Sequence, residues 1–417
     1  MESEKKIYVY ADFKPFDTEL IGTIYVSRTR GKELYSFEYA YSWLKKGCMA
    51  LDPDLQLYRG RQYLQDDKNI FGVFADSCPD RWGRRLMNRR EEIRAKKAGE
   101  KPKKLLESDY LLGVYDEARM GGLRFKISPE GEFVSNDEEY ATPPWTSLRE
   151  LEQASIAFEN DAIQSETKWL RQLLAPGSSL GGARPKASVM APDGSLWIAK
   201  FPSKHDDFNS GAWEMVTHEL AAFCGLNVPE AKVEKFSKLG TTFLVKRFDR
   251  AGKQRVHFSS AMTMLGKKDG ADTTDGSSYL EIVSFLKANG AKPKNDLKEL
   301  WKRIVFSMAV SNTDDHFRNH GFLLAENGWE LSPLYDVNPD IYGDYLSLNV
   351  DSEHAQIDFD LAVEAAIYYG IEKKQAIEMV EQVKSVVKNK WEILAEKYGI
   401  SRGERERMRP AFRECEK

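Results

Sequence analysis

Runs of apolar residues open the chain and give way to helical spacing further along it. Residues 7–13 and 20–27 are rich in apolar side chains and predict two strands separated by a turn around Pro15. A charged helix is predicted over 80–98, with a capping signal at its start. The polar, proline-containing stretch 131–144 is the best candidate for a linker.

The middle of the chain predicts a small α+β unit. It comprises two helices, over 147–174 and 211–223, a glycine-rich loop over 175–185, and strands over 195–201, 231–236 and 241–247. The helix 211–223 is expected to carry one apolar stripe made of Trp213, Val216, Leu220 and Phe223.

Beyond residue 258 the pattern becomes helical. In the segment 297–309, large apolar residues recur at helical spacing, namely Leu297, Leu300, Trp301, Ile304, Val305 and Met308. Such a stripe indicates packing in a core. Residues 321–324 and 328–331 then predict a hairpin that turns at Glu326-Asn-Gly.

The length and net charge of the chain limit the number of domains and the class of protein. Its 417 residues exceed what one hydrophobic core usually supports, so two or three domains are expected. A formal charge of -4 argues against a protein that coats nucleic acid by itself, because such binding needs clustered cations. We interpret the basic runs at 81–94 and 101–104 as solvated helix faces.

Cysteine usage and hydropathy indicate a cytoplasmic protein. The cysteines are widely separated and form no C-x-x-C pair, which suggests neither a zinc knuckle nor a disulfide framework. The N-terminus lacks the apolar core of a signal peptide, and no apolar run approaches the length of a membrane span. No membrane partner is therefore expected.

The candidate chemistry begins in the polar segment that follows the 297–309 helix. Asp314 and Asn319 stand in a D-x-x-x-x-N relation, the spacing of a kinase catalytic loop. In that loop the Asp accepts the proton of the substrate hydroxyl and the Asn binds magnesium. Asp315 also offers a carboxylate, but it lies four residues from Asn319, so the spacing favours Asp314 as the base.

A second acidic residue follows the predicted hairpin. Asp336 stands where kinases place the metal-binding Asp of the D-F-G signature. Asn319 and Asp336 both offer hard oxygen ligands, which suit Mg²⁺ completed by nucleotide phosphates.

Basic residues and glycines upstream complete the pattern. Lys200 ends an apolar strand, as does the lysine that grips nucleotide phosphates in kinases, and Glu214 on the next helix is a suitable partner for it. The glycine-rich loop ends at Lys186 and lets main-chain N–H groups approach phosphates. Each signal alone is weak, but together and in this order they predict an ATP- and magnesium-dependent kinase.

These segments resemble the HipA family, the serine/threonine kinase toxins of bacterial toxin–antitoxin pairs. The likeness lies in the stretches 179–186, 243–249, 313–319 and 334–336, with further similarity at 74–83 and 225–229. The resemblance implies an α+β, two-lobed protein-kinase-like fold. We expect an N-terminal HipA-type subdomain at 1–130, a kinase N-lobe at 147–257 and a helical C-lobe at 258–417.

The resemblance also implies roles for individual residues. The ATP-binding set would comprise Gly181, Gly182, Ala183, Arg184, Pro185, Lys186, Lys200, Lys246, Arg247, Phe248, His316, Arg318, Asn319, Tyr335 and Asp336. Of these, residues 246–248 would form the hinge that meets adenine, largely through main-chain groups. Ser179 matches the serine that family members autophosphorylate, and a phosphate there would repel those of ATP.

The implied partners are a HipB-like helix-turn-helix antitoxin, operator DNA reached through the antitoxin complex, and a protein substrate. Family members modify aminoacyl-tRNA synthetases, notably the glutamyl enzyme. The chain departs from some relatives at Asp315, where a small residue is found, and at Arg318, which replaces a frequent lysine and keeps its charge. Pro185 stiffens the glycine-rich loop.

Three other functions are compatible with parts of the pattern. A small-molecule kinase would use the same phosphate chemistry. A catalytically weak co-repressor would only bind the antitoxin, although the intact Lys200, Asp314, Asn319 and Asp336 count against a loss of catalysis. A metal-dependent phosphohydrolase would use Asp314, Asp315, His316 and Asp336 as ligands, but the remaining histidines lack H-x-H or H-x-x-x-H spacing.

Overall fold

The computed structural model describes residues 4–46, 49–64, 68–136, 141–160, 173 and 182–417. Ser179 and Gly181, most of the predicted glycine-rich loop, Cys48, and parts of the predicted linker and of the 147–174 helix lie outside the described residues. The chain folds as two compact units. The N-terminal unit comprises Met1–Lys200 and Arg247–Ser259, and the C-terminal unit comprises Phe201–Lys246 and Ser260–Lys417.

The strands, in chain order, are β1 Lys5–Phe13, β2 Phe16–Thr29, β3 Lys32–Tyr39, β4 Gln62–Tyr63, β5 Leu123–Lys126, β6 Lys186–Met190, β7 Leu196–Lys200, β8 Ala231–Glu234, β9 Thr242–Lys246, β10 Arg250–Ala251, β11 Gln254–Arg255, β12 Phe258–Ser260, β13 Gly321–Ala325 and β14 Gly328–Leu331. The α-helices are α1 Tyr41–Lys45, α2 Gly72–Ala75, α3 Arg81–Ala98, α4 Glu107–Leu112, α5 Leu148–Glu159, α6 Ser210–Phe223, α7 Ala261–Met264, α8 Tyr279–Asn289, α9 Pro293–Ala309, α10 Phe359–Ala365, α11 Lys373–Lys397 and α12 Arg402–Met408.

An antiparallel sheet with the strand order β4-β3-β2-β1-β5 forms the core of the N-terminal unit. Alternate residues of β1 are buried (Ile7, Val9, Ala11 and Phe13), as expected of a strand with one face on a core. Phe13 pairs with Phe16 across the turn that contains Pro15, where the sequence predicts it.

Helix α3 carries the whole of the first basic run, 81–94. Its N-cap is Asp80, whose Oδ1 accepts a hydrogen bond from the amide of Gly83 at 2.8 Å. Basic side chains of the helix pair with acidic neighbours, as Arg84 does with Glu107 and Arg94 with Glu91. Arg94 is well exposed, as expected of a solvated face, whereas Arg84 is half-buried. Residues 101–104 are exposed but lie between helices α3 and α4, so the interpretation of that run as a helix face was wrong.

Helix α9 is the centre of the C-terminal unit. All six residues of its predicted apolar stripe are buried, so the interpretation of the stripe as core packing is confirmed. The stripe predicted on α6 is buried at Trp213, Val216 and Leu220 but wrong at Phe223, which is 51% exposed. Phe223 is the last residue of its helix, and its ring lies 4.2 Å from the ammonium of Lys390 instead of in the core.

The predicted hairpin is present as β13 and β14. Its last pair is Ala325 with Gly328, one residue beyond the predicted strand end. A side chain at Gly328 would meet the carbonyl oxygen of Asn289 at 2.5 Å, and its φ of +134° also favours glycine.

Three of the four cysteines lie in the described part of the chain. Cys78, Cys224 and Cys415 are buried free thiols. Within the ranges given above, no helix combines the length and apolar character that a bilayer span requires.

Candidate active site

The D-x-x-x-x-N segment follows α9 directly and places two adjacent aspartates in opposite environments. The side chain of Asp314 is 90% exposed, and its Oδ1 lies 4.0 Å from Nε2 of His316. Asp315 is only 2% exposed. A substrate hydroxyl can therefore reach the carboxylate of Asp314 but not that of Asp315.

Asp315 is the centre of a buried polar cluster behind the loop. Its Oδ2 accepts hydrogen bonds from the hydroxyls of Tyr279 at 2.7 Å and Ser307 at 3.3 Å, and its Oδ1 lies 3.0 Å from Nε2 of His320. Burial raises the pKa of Asp315, but electrostatic attraction to His320 and the hydrogen bonds with His320 and Tyr279 outweigh this effect, so the pKa of Asp315 is lowered. The pKa of Tyr279 is raised well above its usual value, first by burial and second by the negative charge of Asp315. This cluster gives Asp315 a supporting role in the loop.

The two polar atoms of the Asn319 side-chain amide differ in their contacts. Its Nδ2 donates to the carbonyl oxygen of Asp314 at 2.8 Å, which ties the two ends of the motif together. Its Oδ1 is buried and has no hydrogen-bond partner among the described residues. An orphaned buried carbonyl oxygen is costly unless something else satisfies it, and a hard cation does so well. The amide of Asn319 therefore fits the ligand set expected for magnesium.

Asp336 follows β14 with its backbone in the left-handed region, at a φ of +59°. A non-glycine residue held in that conformation is strained, and such strain clusters at functional sites. The loop after it is fixed from two sides. The hydroxyl of Thr217 donates to the carbonyl oxygen of Val337 at 2.6 Å, and the amide of Asn338 donates to Oδ1 of Asn312 at 3.3 Å.

Tyr335 connects this loop to the segment 314–319. Its hydroxyl donates to the carbonyl oxygen of Arg318 at 2.7 Å, while the guanidinium of Arg318 lies 3.6 Å from the carboxylate of Asp269. The structure thus brings the segments 314–319 and 335–338 together within the C-terminal unit. The supporting residues Thr217, Tyr279 and His320 were missed from the sequence, because none of them belongs to a motif.

In the N-terminal unit, Lys186 is the first residue of β6 rather than an exposed loop residue. It is 5% exposed, and its ammonium lies 2.9 Å from Oδ2 of Asp80. It also lies 3.4 Å from the carbonyl oxygen of Gly182, whose φ is +89°. Gly182 and Ala183 are exposed, Arg184 is half-buried and Pro185 is buried. Asp80 was not among the predicted site residues.

The predicted hinge residues are occupied by structural contacts. The amide of Lys246 donates to Glu230 at 2.8 Å and that of Arg247 to Leu196 at 2.9 Å. The side chain of Arg247 is buried and donates to the carbonyl oxygens of Ala118 and Arg119 and to Asp249. The N–H groups of residues 246 and 247 are therefore already donated within the protein.

Two predicted site residues remain to be placed. Lys200 ends β7 in the N-terminal unit and is half-buried, whereas Glu214 is a buried residue of α6 in the C-terminal unit. Their pairing stays a prediction, as do the three domain boundaries.

The fold matches that of a solved toxin structure. Over 98% of this chain and 96% of the other, it aligns with a TM-score of 0.69 and 18% identity to a chain from the Shewanella oneidensis structure of the toxin–antitoxin system HipA, HipB and its operator DNA. The predicted fold class, α+β and kinase-like, is confirmed by this match.

Two family models identify the protein more closely. Residues 178–391 match the HipA-like C-terminal domain, and residues 16–106 match the HipA N-terminal domain. The chain belongs to the HipA family.

Relatives are similar at lower coverage. The chain is 26% identical to the serine/threonine-protein kinase toxin HipA of Shewanella oneidensis over 50% of its own length and 55% of the relative. It is 28% identical to the putative kinase Y4mE of Sinorhizobium fredii over 45% and 48% of the two chains, and 26% identical to a putative kinase of Haemophilus influenzae over 38% and 52%. The chain thus spans about half the length of the curated relatives it matches.

Proposed function

We propose that this protein is a serine/threonine-protein kinase toxin that transfers the γ-phosphoryl group of ATP to a protein hydroxyl. The proposal rests on one observation: three predicted site residues lie in hydrogen-bonded segments of the C-terminal unit. Asp314 is exposed, Asn319 is bonded to its backbone, and the loop of Asp336 is bonded to the same segment through Tyr335.

Asp314 acts as the catalytic base in this proposal. As the substrate oxygen attacks the γ-phosphorus in line, the hydroxyl proton passes to the carboxylate of Asp314 and the bond to the β-phosphate oxygen breaks. The exposure of Asp314 and the engagement of Asp315 support this assignment over the neighbouring residue.

The remaining predicted residues hold ATP and its metal. Asn319 and Asp336 would hold magnesium, which offsets the negative charge of the phosphates when it is bound. Lys186 would add positive charge at the phosphate loop, Lys200 would contact the phosphates, and His316 and Arg318 would line the site. Residues 246–248 would meet adenine through main-chain groups other than the amides of Lys246 and Arg247, which are already donated.

Partners and targets follow from the family. A HipB-like helix-turn-helix antitoxin, and operator DNA through it, are supported by the complex in which the structural relative was solved. The substrate is proposed to be an aminoacyl-tRNA synthetase, for which the glutamyl enzyme is the first candidate to test. Ser179 is proposed as an autophosphorylation site that silences the kinase.

The test is a labelling experiment with the purified chain and Mg-ATP. Intact mass and peptide analysis should find phosphate on Ser179, and Asp314→Asn and Asp336→Asn should each abolish it. Ser179→Ala is the control that removes the acceptor while leaving ATP turnover onto another protein intact. Phosphate that persists in Asp314→Asn would contradict the assignment of the base.

The same experiment separates the alternatives. A metabolite that turns over while no protein is labelled would favour a small-molecule kinase, and antitoxin binding without any turnover would favour a co-repressor. A phosphohydrolase is disfavoured by geometry, because Asp315 faces a buried cluster while its neighbour Asp314 faces solvent. The two carboxylates therefore do not form one metal site.

A further inference from the structure

The N-terminal unit contains an ion pair buried between two segments far apart in sequence. The ammonium of Lys186 lies 2.9 Å from Oδ2 of Asp80, and the two side chains are 4% and 3% exposed. The indole N–H of Trp82 also donates to the main-chain oxygen of Lys186 at 3.0 Å. The start of α3 thus holds Lys186 by both its side chain and its backbone.

Asp80 makes two separate contacts with its two carboxylate oxygens. Oδ1 caps α3 through the amide of Gly83, at 2.8 Å, while Oδ2 faces Lys186. The capping contact needs only a neutral acceptor, whereas the contact with an ammonium draws on the negative charge. The two roles can therefore be separated by substitution.

A second lysine opposite Lys186 explains why a negative charge is needed at position 80. Lys186 and Lys200 are directly opposite each other in the β6–β7 pair. Opposed residues of an antiparallel pair point to the same face, and like charges in that arrangement repel. Asp80 supplies a negative charge beside one of the two lysines.

We propose that Asp80 is a positioning residue for ATP binding, which holds the ammonium of Lys186 in place beside the nucleotide phosphates. The inference rests on the proposed function, in which Lys186 adds positive charge at the phosphate loop and Lys200 contacts the phosphates. It assigns part of the nucleotide site to the HipA N-terminal domain, because Asp80 lies within the matched residues 16–106.

The physical reason is the cost of a buried cation. A nearly inaccessible ammonium without a partner moves toward solvent, because a buried unpaired charge is costly. It then no longer presents a positive charge at a fixed position. Asp80 offsets this cost, so removing its charge should weaken contacts with phosphate groups and leave contacts with adenine and ribose unchanged.

The experiment measures the dissociation constants of Mg-ATP and adenosine by calorimetry for five proteins: the wild type, D80N, K186M, the D80N/K186M double variant and D358N. Asn at position 80 retains the oxygen that caps α3. D358N is the matched control, since Asp358 also caps a helix through its side chain, by accepting from the amide of Asp360. If D80N does not fold, D80S takes its place, because serine also caps helices.

D80N is expected to raise the dissociation constant of Mg-ATP about tenfold, as loss of a charge-assisted contact does, and to leave that of adenosine unchanged. The double variant should bind Mg-ATP no more weakly than K186M, because Asp80 acts through Lys186. D358N should match the wild type.

Three results would overturn the inference: additive losses in the double variant, equal losses for Mg-ATP and adenosine, or wild-type or tighter Mg-ATP binding by D80N. Failure of the wild type to bind Mg-ATP would instead overturn the proposed function, so the two failures are distinguishable.

Discussion

At the scale of single residues, the two adjacent aspartates show how burial assigns roles that spacing only suggests. Asp314 is exposed to solvent, whereas Asp315 is surrounded by Tyr279, Ser307 and His320. The same type of side chain thus faces solvent at one position and supports the loop at the next.

Substituting each aspartate by asparagine should therefore produce different defects. D314N should lower phosphoryl transfer by about a hundredfold or more, as the loss of a general base does, with an unchanged melting temperature. D315N should lower the free energy of unfolding by about 1–3 kcal/mol, because Tyr279 and His320 lose a charged partner. Radiolabel transfer and thermal melts measure the two effects. A stability loss in D314N equal to that in D315N would show that the environments are not different.

The hydroxyl of Tyr279 is expected to stabilise the catalytic loop. Tyr279→Phe should cost about 1.5–3 kcal/mol of unfolding free energy, since it removes a hydrogen bond to an ionised carboxylate. Tyr369→Phe is the matched control, because the hydroxyl of Tyr369 is buried without a hydrogen-bond partner among the described residues. Its loss should be neutral or stabilising. Urea denaturation of both variants checks this, and equal costs would contradict it.

At the scale of elements, helix α6 is fastened to the loop that carries Asp336. The hydroxyl of Thr217 is fully buried and donates to Val337, one residue beyond Asp336. Any shift of the helix therefore acts on the backbone beside the proposed metal ligand.

Thr217→Val keeps the shape of the side chain and removes this hydrogen bond. We expect the kcat for phosphoryl transfer to fall about tenfold, because small displacements of catalytic groups are costly. Thr217→Ser retains the hydroxyl and should keep most of the activity. Steady-state kinetics on both variants measure the difference. Equal losses in the two would mean that packing of the methyl group, and not the hydrogen bond, matters.

At the scale of the whole molecule, a buried histidine links folding to pH. His257 stacks on the ring of Phe13 at 4.6 Å, and burial lowers its pKa from 6.5 to about 3. The unfolded chain therefore binds a proton more readily than the folded chain, so stability is lost as the pH falls from 6.5 toward 3. Asp52 acts in the opposite direction, since burial raises its pKa to about 6 and the folded state gains stability below that value.

His257→Phe should isolate the histidine contribution. Relative to the wild type, the unfolding free energy of this variant should increase by about 1.4 kcal/mol for each unit by which the pH is lowered from 6 to 4. Denaturant titrations at several pH values measure the slope, and Asp52 is common to both proteins and cancels. A difference that does not change with pH would show that His257 is protonated in the folded state.

Local patterns in the sequence predicted most elements and the catalytic segment. Alternating burial in β1, the apolar stripe of α9 and the β13–β14 hairpin all follow from short-range periodicity and turn residues, which depend on neighbours in the chain. The spacing of Asp314, Asn319 and Asp336 is equally local. The stripe on α6 was wrong at Phe223, because periodicity does not show where a helix end meets its neighbour.

The sequence by itself thus determined the family, the kinase-like fold class and the residues proposed for the reaction. Only the tertiary structure decided which of two aspartates is exposed, that Arg247 is a buried structural side chain, and that Asp80 reaches Lys186. The physical reason is that burial and charge pairing depend on residues that meet in space. Asp80 and Lys186 are separated by 106 positions, and no pattern within either segment indicates the other.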